Sequence, residues 1–173
     1  LPHAPRPAPD PSQTQTQPVP ARAAIPRPPA PGKILVVDDN ESNRSMLARR
    51  LEREGHTILL ADNGKSALNM LRTQDFDLVL LDVMMPEMDG YQVLEQLHAD
   101  DKFRGLPVIM ISALDEIDTV VKSIELGAED YLPKPFNPVI LRARIGACLE
   151  KKRLRDRERA YMRKLRSEQE RSE

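Results

Sequence analysis

Five short apolar runs, each separated from the next by a helix-patterned stretch, constrain this chain more than any other feature of its sequence. They read KILVVD (33–38), TILLA (57–61), DLVLLD (77–82), PVIMIS (107–112) and DYL (130–132). The middle runs are apolar at successive rather than alternate positions, the pattern of strands covered on both faces in a parallel sheet. Helical segments lie between them. Ser42 to Glu54 sets Met46, Leu47 and Leu51 on one side; Gly64 to Gln74 does the same with Ala67, Leu68 and Leu71. Gly90 to His98 carries Val93, Leu94 and Leu97, and Ile117 to Leu126 carries Val120, Val121 and Ile124. A β-α unit repeated five times predicts right-handed crossovers and an α/β fold with a doubly wound, parallel, five-stranded sheet. Gly55 and Gly127 stand just past their helices, where a left-handed cap belongs.

What flanks this repeat is different in texture. Residues 1–32 hold 11 of the 16 prolines, together with Gln, Thr and Ala, and cannot bury enough apolar surface to offset the entropy of ordering. They are expected to form a disordered Pro-rich linker, with a PxxP ligand for a partner domain as the alternative. The chain starts on Leu rather than Met, and we expect it to be a fragment of something longer. Its 173 residues accommodate one core plus extensions. A formal charge of −1 gives no global pull toward nucleic acid or anionic membrane. The single cysteine, Cys148, rules out a disulfide framework and fits a reducing cytoplasm. No apolar run approaches the roughly 18 residues of a membrane span, so no membrane insertion is expected.

In an open α/β sheet the working crevice lies beyond the carboxyl ends of the central strands. Four strand ends here carry reactive polar groups: Asp38 with Asp39, then Asp82, Ser112 and Lys134. Parallel strands bring all of them to one pocket. Three crowded carboxylates repel one another and call for a divalent cation, and hard oxygen ligands with few protein contacts favour Mg2+. The Lys134 ammonium and the Ser112 hydroxyl suit the equatorial oxygens of a phosphoryl group in transfer. Asp82 then has a chemical role, as the nucleophile that becomes an acyl phosphate.

The motifs VVDDN, LLDVMMPEMDG, VIMISA and YLPKPF, in this order, resemble those of the receiver (CheY-like) domain of two-component response regulators. The resemblance covers 33–149. It implies a flavodoxin/CheY-like sheet of order 2-1-3-4-5 and a cytoplasmic signalling role without a separate enzymatic substrate. It further implies that Asp82 accepts phosphate from a histidine kinase or phosphotransfer protein. By the same resemblance Asp39 is expected to bind Mg2+ directly with Asp82 and the Met84 backbone carbonyl, while Asp38 acts through water. The resemblance also implies that Lys134 contacts the phosphoryl group, that Ser112 and Tyr131 form the switch pair, and that the Lys134-Pro135 bond is cis. Met84 and Leu114 flank the phosphate as apolar cover, which should hinder hydrolysis.

Each residue also has a plainer reading. An Asp pair after a strand is often a turn or cap, Ser112 alone a cap, Tyr131 alone half-buried packing, and MPEMDG a turn into a helix capped by Asp89. Those readings leave unexplained why every polar strand end falls on one edge. A pseudo-receiver serving only as a phosphorylation-independent dimerisation module is the main alternative, and the complete set of Asp38, Asp39, Asp82, Ser112 and Lys134 argues against it. A phosphatase of the haloacid dehalogenase type needs a second Asp two residues after the nucleophile, where this chain has Met84.

The last helix starts near Asn137 and Pro138, a good N-cap and first-turn pair. Run to residue 173 it would reach about 54 Å, so its second half, 150–173, must project from the domain. There Leu154, Tyr161 and Leu165 follow the 7 and 4 spacing of a coiled-coil seam and predict a homodimer, with a solvated single helix held by i,i+4 charge pairs as the alternative. The same stretch holds 10 Lys or Arg against 6 Asp or Glu, but interleaved acids and a lone Tyr161 weigh against nucleic acid. ARIGACLEKKRLRDRE resembles the signalling helix that precedes output domains such as nucleotide cyclases.

Overall fold

The computed structural model describes residues 2–5, 30–114 and 116–172. Most of the Pro-rich stretch, 6–29, therefore lies outside the described residues. From Lys33 onward the chain alternates β1 (Lys33–Val37), α1 (Glu41–Arg53), β2 (Thr57–Ala61), α2 (Gly64–Thr73), β3 (Leu78–Asp82) and α3 (Gly90–Ala99). It continues with a 3-10 turn (Asp101–Phe103), β4 (Val108–Ser112), α4 (Ile117–Glu125), β5 (Asp130–Pro133) and α5 (Pro138–Ser172). All five strands are parallel, in the order β2-β1-β3-β4-β5. The sheet order and the long last helix are those anticipated from the sequence. The 3-10 turn was not.

Two apolar layers sandwich the sheet, because successive side chains of a strand point to opposite faces. Ile34, Val36, Leu78, Leu80, Ile109 and Ile111 pack with Leu47 and Leu51 of α1 and with Leu141, Ile145 and Cys148 of α5. Leu35, Val37, Val79, Leu81 and Met110 pack with Leu68 and Leu71 of α2 and with Val93, Leu94 and Leu97 of α3. Fully burying each such side chain contributes about 1.5–3 kcal/mol. Truncating Leu80, which is enclosed on the central strand, would cost about 2–5 kcal/mol.

Local chemistry sets the helix ends. Asn40 and Asn63 accept from the amides of Asn43 and Ser66 at the starts of α1 and α2, and Asp89 with Gln92 forms a reciprocal capping box on α3. Asn137 accepts from the amides of Val139 and Ile140, so Pro138 opens α5 as expected.

Two apolar assignments need correction. Met46 faces solvent, while Leu47, Ala48 and Leu51 carry the buried face of α1. On α4 the buried residues are Thr119 and Ser123, and Val121 and Ile124 are exposed. Small hydroxyl side chains let that helix approach closely, and Ser123 Oγ satisfies its hydrogen bond on the Thr119 carbonyl at 2.8 Å.

Candidate functional site

Strand register builds the site. Val37 pairs with Leu81, so Asp38, just past β1, and Asp82, the last residue of β3, stand side by side. Ser112 pairs with Pro133, and the Lys134 amide donates to the Ser112 carbonyl at 2.7 Å, which places Lys134 beside them. The loop after β3 then turns sharply enough for the Gly90 amide to donate to the Val83 carbonyl at 2.8 Å. A Cβ on Gly90 would fall 2.3 Å from the Asp82 carbonyl oxygen, so only glycine fits where that loop enters α3. Glu87 within the loop takes a positive φ of 66°, a left-handed conformation that costs about 1 kcal/mol for a residue with a side chain.

Three carboxylates meet in this crevice. Asp38, Asp39 and Asp82 each bring one oxygen within 4.8 Å of the others; Asp38 and Asp82 are buried and Asp39 is exposed. Asp38 Oδ1 accepts from the Asn40 amide at 2.9 Å, and its Oδ2 accepts from Lys134 Nζ at 2.8 Å. Lys134 Nζ also lies 3.5 Å from Asp82 Oδ1, which accepts a long 3.4 Å bond from the Met84 amide.

This crowding shows in proton affinity. Burial pushes the Asp82 carboxyl up to about 6, the Asp38 charge adds to the rise, and Lys134 with the Met84 amide opposes it. Burial alone would pull Lys134 down, but its hydrogen bond to Asp38 and the charges of Asp82 and Asp38 outweigh that and hold it above the usual lysine range. Carboxylates held together against their own repulsion, with one facing solvent, are a donor set that fits a small hard dication.

Ser112 and Tyr131 grip one residue from two sides. Ser112 Oγ, fully buried, accepts from the Leu114 amide at 3.1 Å, and the Tyr131 hydroxyl donates to the Leu114 carbonyl. The Lys134-Pro135 peptide is cis. Leu114 and Met84 both expose apolar side chains.

Every strand-end residue singled out in the sequence thus reaches one edge. Leu154, Tyr161 and Leu165 do not join it; they lie exposed on the part of α5 beyond the sheet. Sequence reasoning missed Arg44, whose guanidinium donates to the Asp38 carbonyl at 2.7 Å from the first turn of α1. A cation six residues after Asp38, on a helix that starts at the site, was the available signal.

The family model for the response regulator receiver domain matches residues 34–146. The chain belongs to this family. Among curated relatives, the receiver is 43% identical over 119 residues to the alkaline phosphatase synthesis transcriptional regulatory protein PhoP of Bacillus subtilis, covering 69% of this chain and 49% of that one. It is 44% identical over 119 residues to the probable transcriptional regulator ycf27 of Porphyra purpurea, covering 69% and 48%. Among solved structures, a Francisella response regulator 1452 receiver domain superposes with a TM-score of 0.66 at 32% identity, covering 69% of this chain and 98% of that one. The chain spans about half the length of the curated relatives it matches. The matched region ends within α5, so the helix from residue 147 onward lies past it.

Proposed function

We propose that this receiver is a phosphorylation-controlled switch in which Asp82 is the phosphoacceptor. The observation that carries this reading is the convergence of Asp38, Asp39, Asp82 and Lys134 on one crevice, with Lys134 within 4 Å of two of the carboxylates.

An ionised Asp82 oxygen attacks phosphorus of a phosphohistidine or a small acyl phosphate. The new O–P bond forms as the donor's P–N or P–O bond breaks, and the leaving group keeps that electron pair. Asp39, Asp82 and the Met84 carbonyl would hold Mg2+, with Asp38 acting through water, and the ion would supply charge neutralisation for the phosphoryl oxygens. Lys134 Nζ, already poised between Asp38 and Asp82, can turn a donor toward one phosphoryl oxygen. Ser112 Oγ can give up the Leu114 amide for another. Because Tyr131 holds the carbonyl of that same Leu114, such a move bears on Tyr131 and on the surface of α4 and β5.

The phosphoryl donor in this reading is a histidine kinase or phosphotransfer protein in the cytoplasm. Domain limits of 33–149 for the receiver and 150–173 for a projecting helix go with it. Leu154, Tyr161 and Leu165 would pair two copies through that helix, which relays the change to an output module, with a nucleotide cyclase the candidate from the signalling-helix resemblance. Exposures of 56%, 62% and 42% for these three side chains leave the stripe open to a partner.

Incubation with acetyl phosphate and Mg2+ tests the phosphoacceptor role. Acid-stable, base-labile phosphate is expected on the parent and none on Asp82→Asn. No labelling of the parent would favour the pseudo-receiver, and equal labelling of Asp82→Asn would move the phosphoacceptor to another residue.

A further inference from the structure

At the end of the sheet opposite Asp82, the chain entering β1 and the first half of the α5 extension are fastened to each other. Arg153 on α5 donates from one terminal nitrogen to the Ala30 carbonyl at 2.6 Å and the Pro31 carbonyl at 3.1 Å. One turn earlier Leu149 lies so close to Gly32 that a Cβ there would meet its Cδ2 at 2.8 Å. Asp77, just before β3, bridges the two segments: one carboxylate oxygen accepts from the Lys33 amide at 2.8 Å, and the other lies 3.5 Å from Lys152 Nζ. On the far side of the entering chain, the Gly32 amide donates to His56 Nδ1 at 3.0 Å, and the Gly32 carbonyl accepts from the Thr57 amide at 3.0 Å.

We propose that Arg153 is a latch that couples residues 30–33 to the α5 extension, so that the position of the entering chain and the order of the outgoing helix depend on each other. Three physical points support it. First, Arg153 takes backbone carbonyls presented by a chain with little freedom to lose, because Pro31 fixes its own φ and confines Ala30 to extended conformations. Second, among the described residues the guanidinium forms no ion pair, and its hydrogen bonds there go to these two carbonyls. Third, His56 can accept the Gly32 amide only while neutral. Burial holds its pKa below the ordinary range, with the Arg153 charge assisting and Glu54 opposing.

The basic residues of the extension gain a use from this arrangement. Lys151 and Arg155 reach Glu129 at 3.2 Å, and Arg159 donates to the Arg104 carbonyl at 2.9 Å. Half of the ten basic residues of 150–173, namely Lys151, Lys152, Arg153, Arg155 and Arg159, are thus turned toward the receiver or the chain that enters it. Charged pairs at a partly exposed surface are individually weak, so the extension is held by contacts that can release. Reciprocity follows from linkage: whatever loosens residues 30–33 loosens the helix, and the converse. The latch itself is carried by the contacts of Arg153, Leu149 and Asp77; only its effect on output rests on the reading of α5 as a relay.

Hydrogen exchange on the full chain, read by NMR, tests it. Arg153→Ala is expected to speed exchange of the Gly32 amide about tenfold or more, and Arg153→Lys to restore part of the protection. In the other direction, Gly32→Val is expected to speed exchange of the amides of residues 155–165, with Gly32→Ala as the milder variant if valine unfolds the domain. Protection at the Leu80 amide serves as the control for folding. A Gly32 amide unchanged by Arg153→Ala, or a helix unchanged by both Gly32 variants in a folded protein, would overturn the latch. Loss of phosphorylation at Asp82 is a separate outcome and would leave the latch standing.

Discussion

Lys134 Nζ lies 2.8 Å from Asp38 Oδ2, a contact between residues 96 apart in sequence. It is shorter than the 3.5 Å from the same nitrogen to Asp82. In this state the lysine is committed more to Asp38 than to the residue proposed to carry phosphate. A dication among the carboxylates would compete for Asp38 and leave Lys134 freer to turn toward an incoming phosphoryl group.

The consequence of crowding can be read from stability. The Asp82 carboxyl is raised from 3.8 to about 6. Between those values the native state holds a proton that the unfolded chain has lost, so stability falls as pH rises through this window and the whole penalty is present at pH 7.5. Asp82→Asn is expected to stabilise the Mg2+-free protein by about 1–3 kcal/mol at pH 7.5. The gain should shrink as pH falls from 6 toward 4. Urea denaturation of both proteins at the two ends of that range checks it.

Removing the lysine separates its two roles. Lys134→Met is expected to slow phosphorylation by acetyl phosphate about 10²–10³-fold, the usual cost of losing a preorganised donor at a developing charge. It should also raise the Asp82 pKa further, because Lys134 is one of the groups that oppose the rise. Rate measurements and carboxyl-carbon NMR titration report on the two effects separately.

Apolar cover should lengthen the life of the acyl phosphate. Met84 and Leu114 expose their side chains beside the crevice, and neither can orient a water molecule as an amide can. The double variant Met84→Asn, Leu114→Gln is expected to dephosphorylate several-fold faster than the parent. Phosphate release after removal of the donor measures it.

On the outgoing helix, Leu154→Gln with Leu165→Gln is expected to leave the receiver folded and the chain monomeric. Burial of Leu154 and Leu165 against a second copy would contribute about 1.5–3 kcal/mol per side chain. Molar mass from light scattering distinguishes this from a seam elsewhere. A variant that stays dimeric would place the contact on another surface.

Much of the fold was legible because burial on both faces writes itself into sequence as successive apolar residues, as in VLLD and VIMIS. Asp38, Asp82, Ser112 and Lys134 were legible for a related reason: parallel strands must present their ends at one edge. Helix α4 misled because its inward face uses Thr119 and Ser123 while Val121 and Ile124 face solvent. Periodicity finds the stripe without saying which way it points. Arg44 and Arg153 were missed because both bind backbone carbonyls, and a carbonyl leaves no mark on the identity of the residue that offers it.

The most direct measurement is a beryllofluoride titration of the full chain, with and without Mg2+, followed by the amide signals of Met84, Ser112, Leu114 and Tyr131. A phosphoacceptor at Asp82 requires saturable, Mg2+-dependent shifts at all four, spreading through Leu114 to Tyr131, and their loss in Asp82→Asn. Shifts that persist in Asp82→Asn, or a parent that does not respond when Mg2+ and beryllofluoride are both present, would contradict the account.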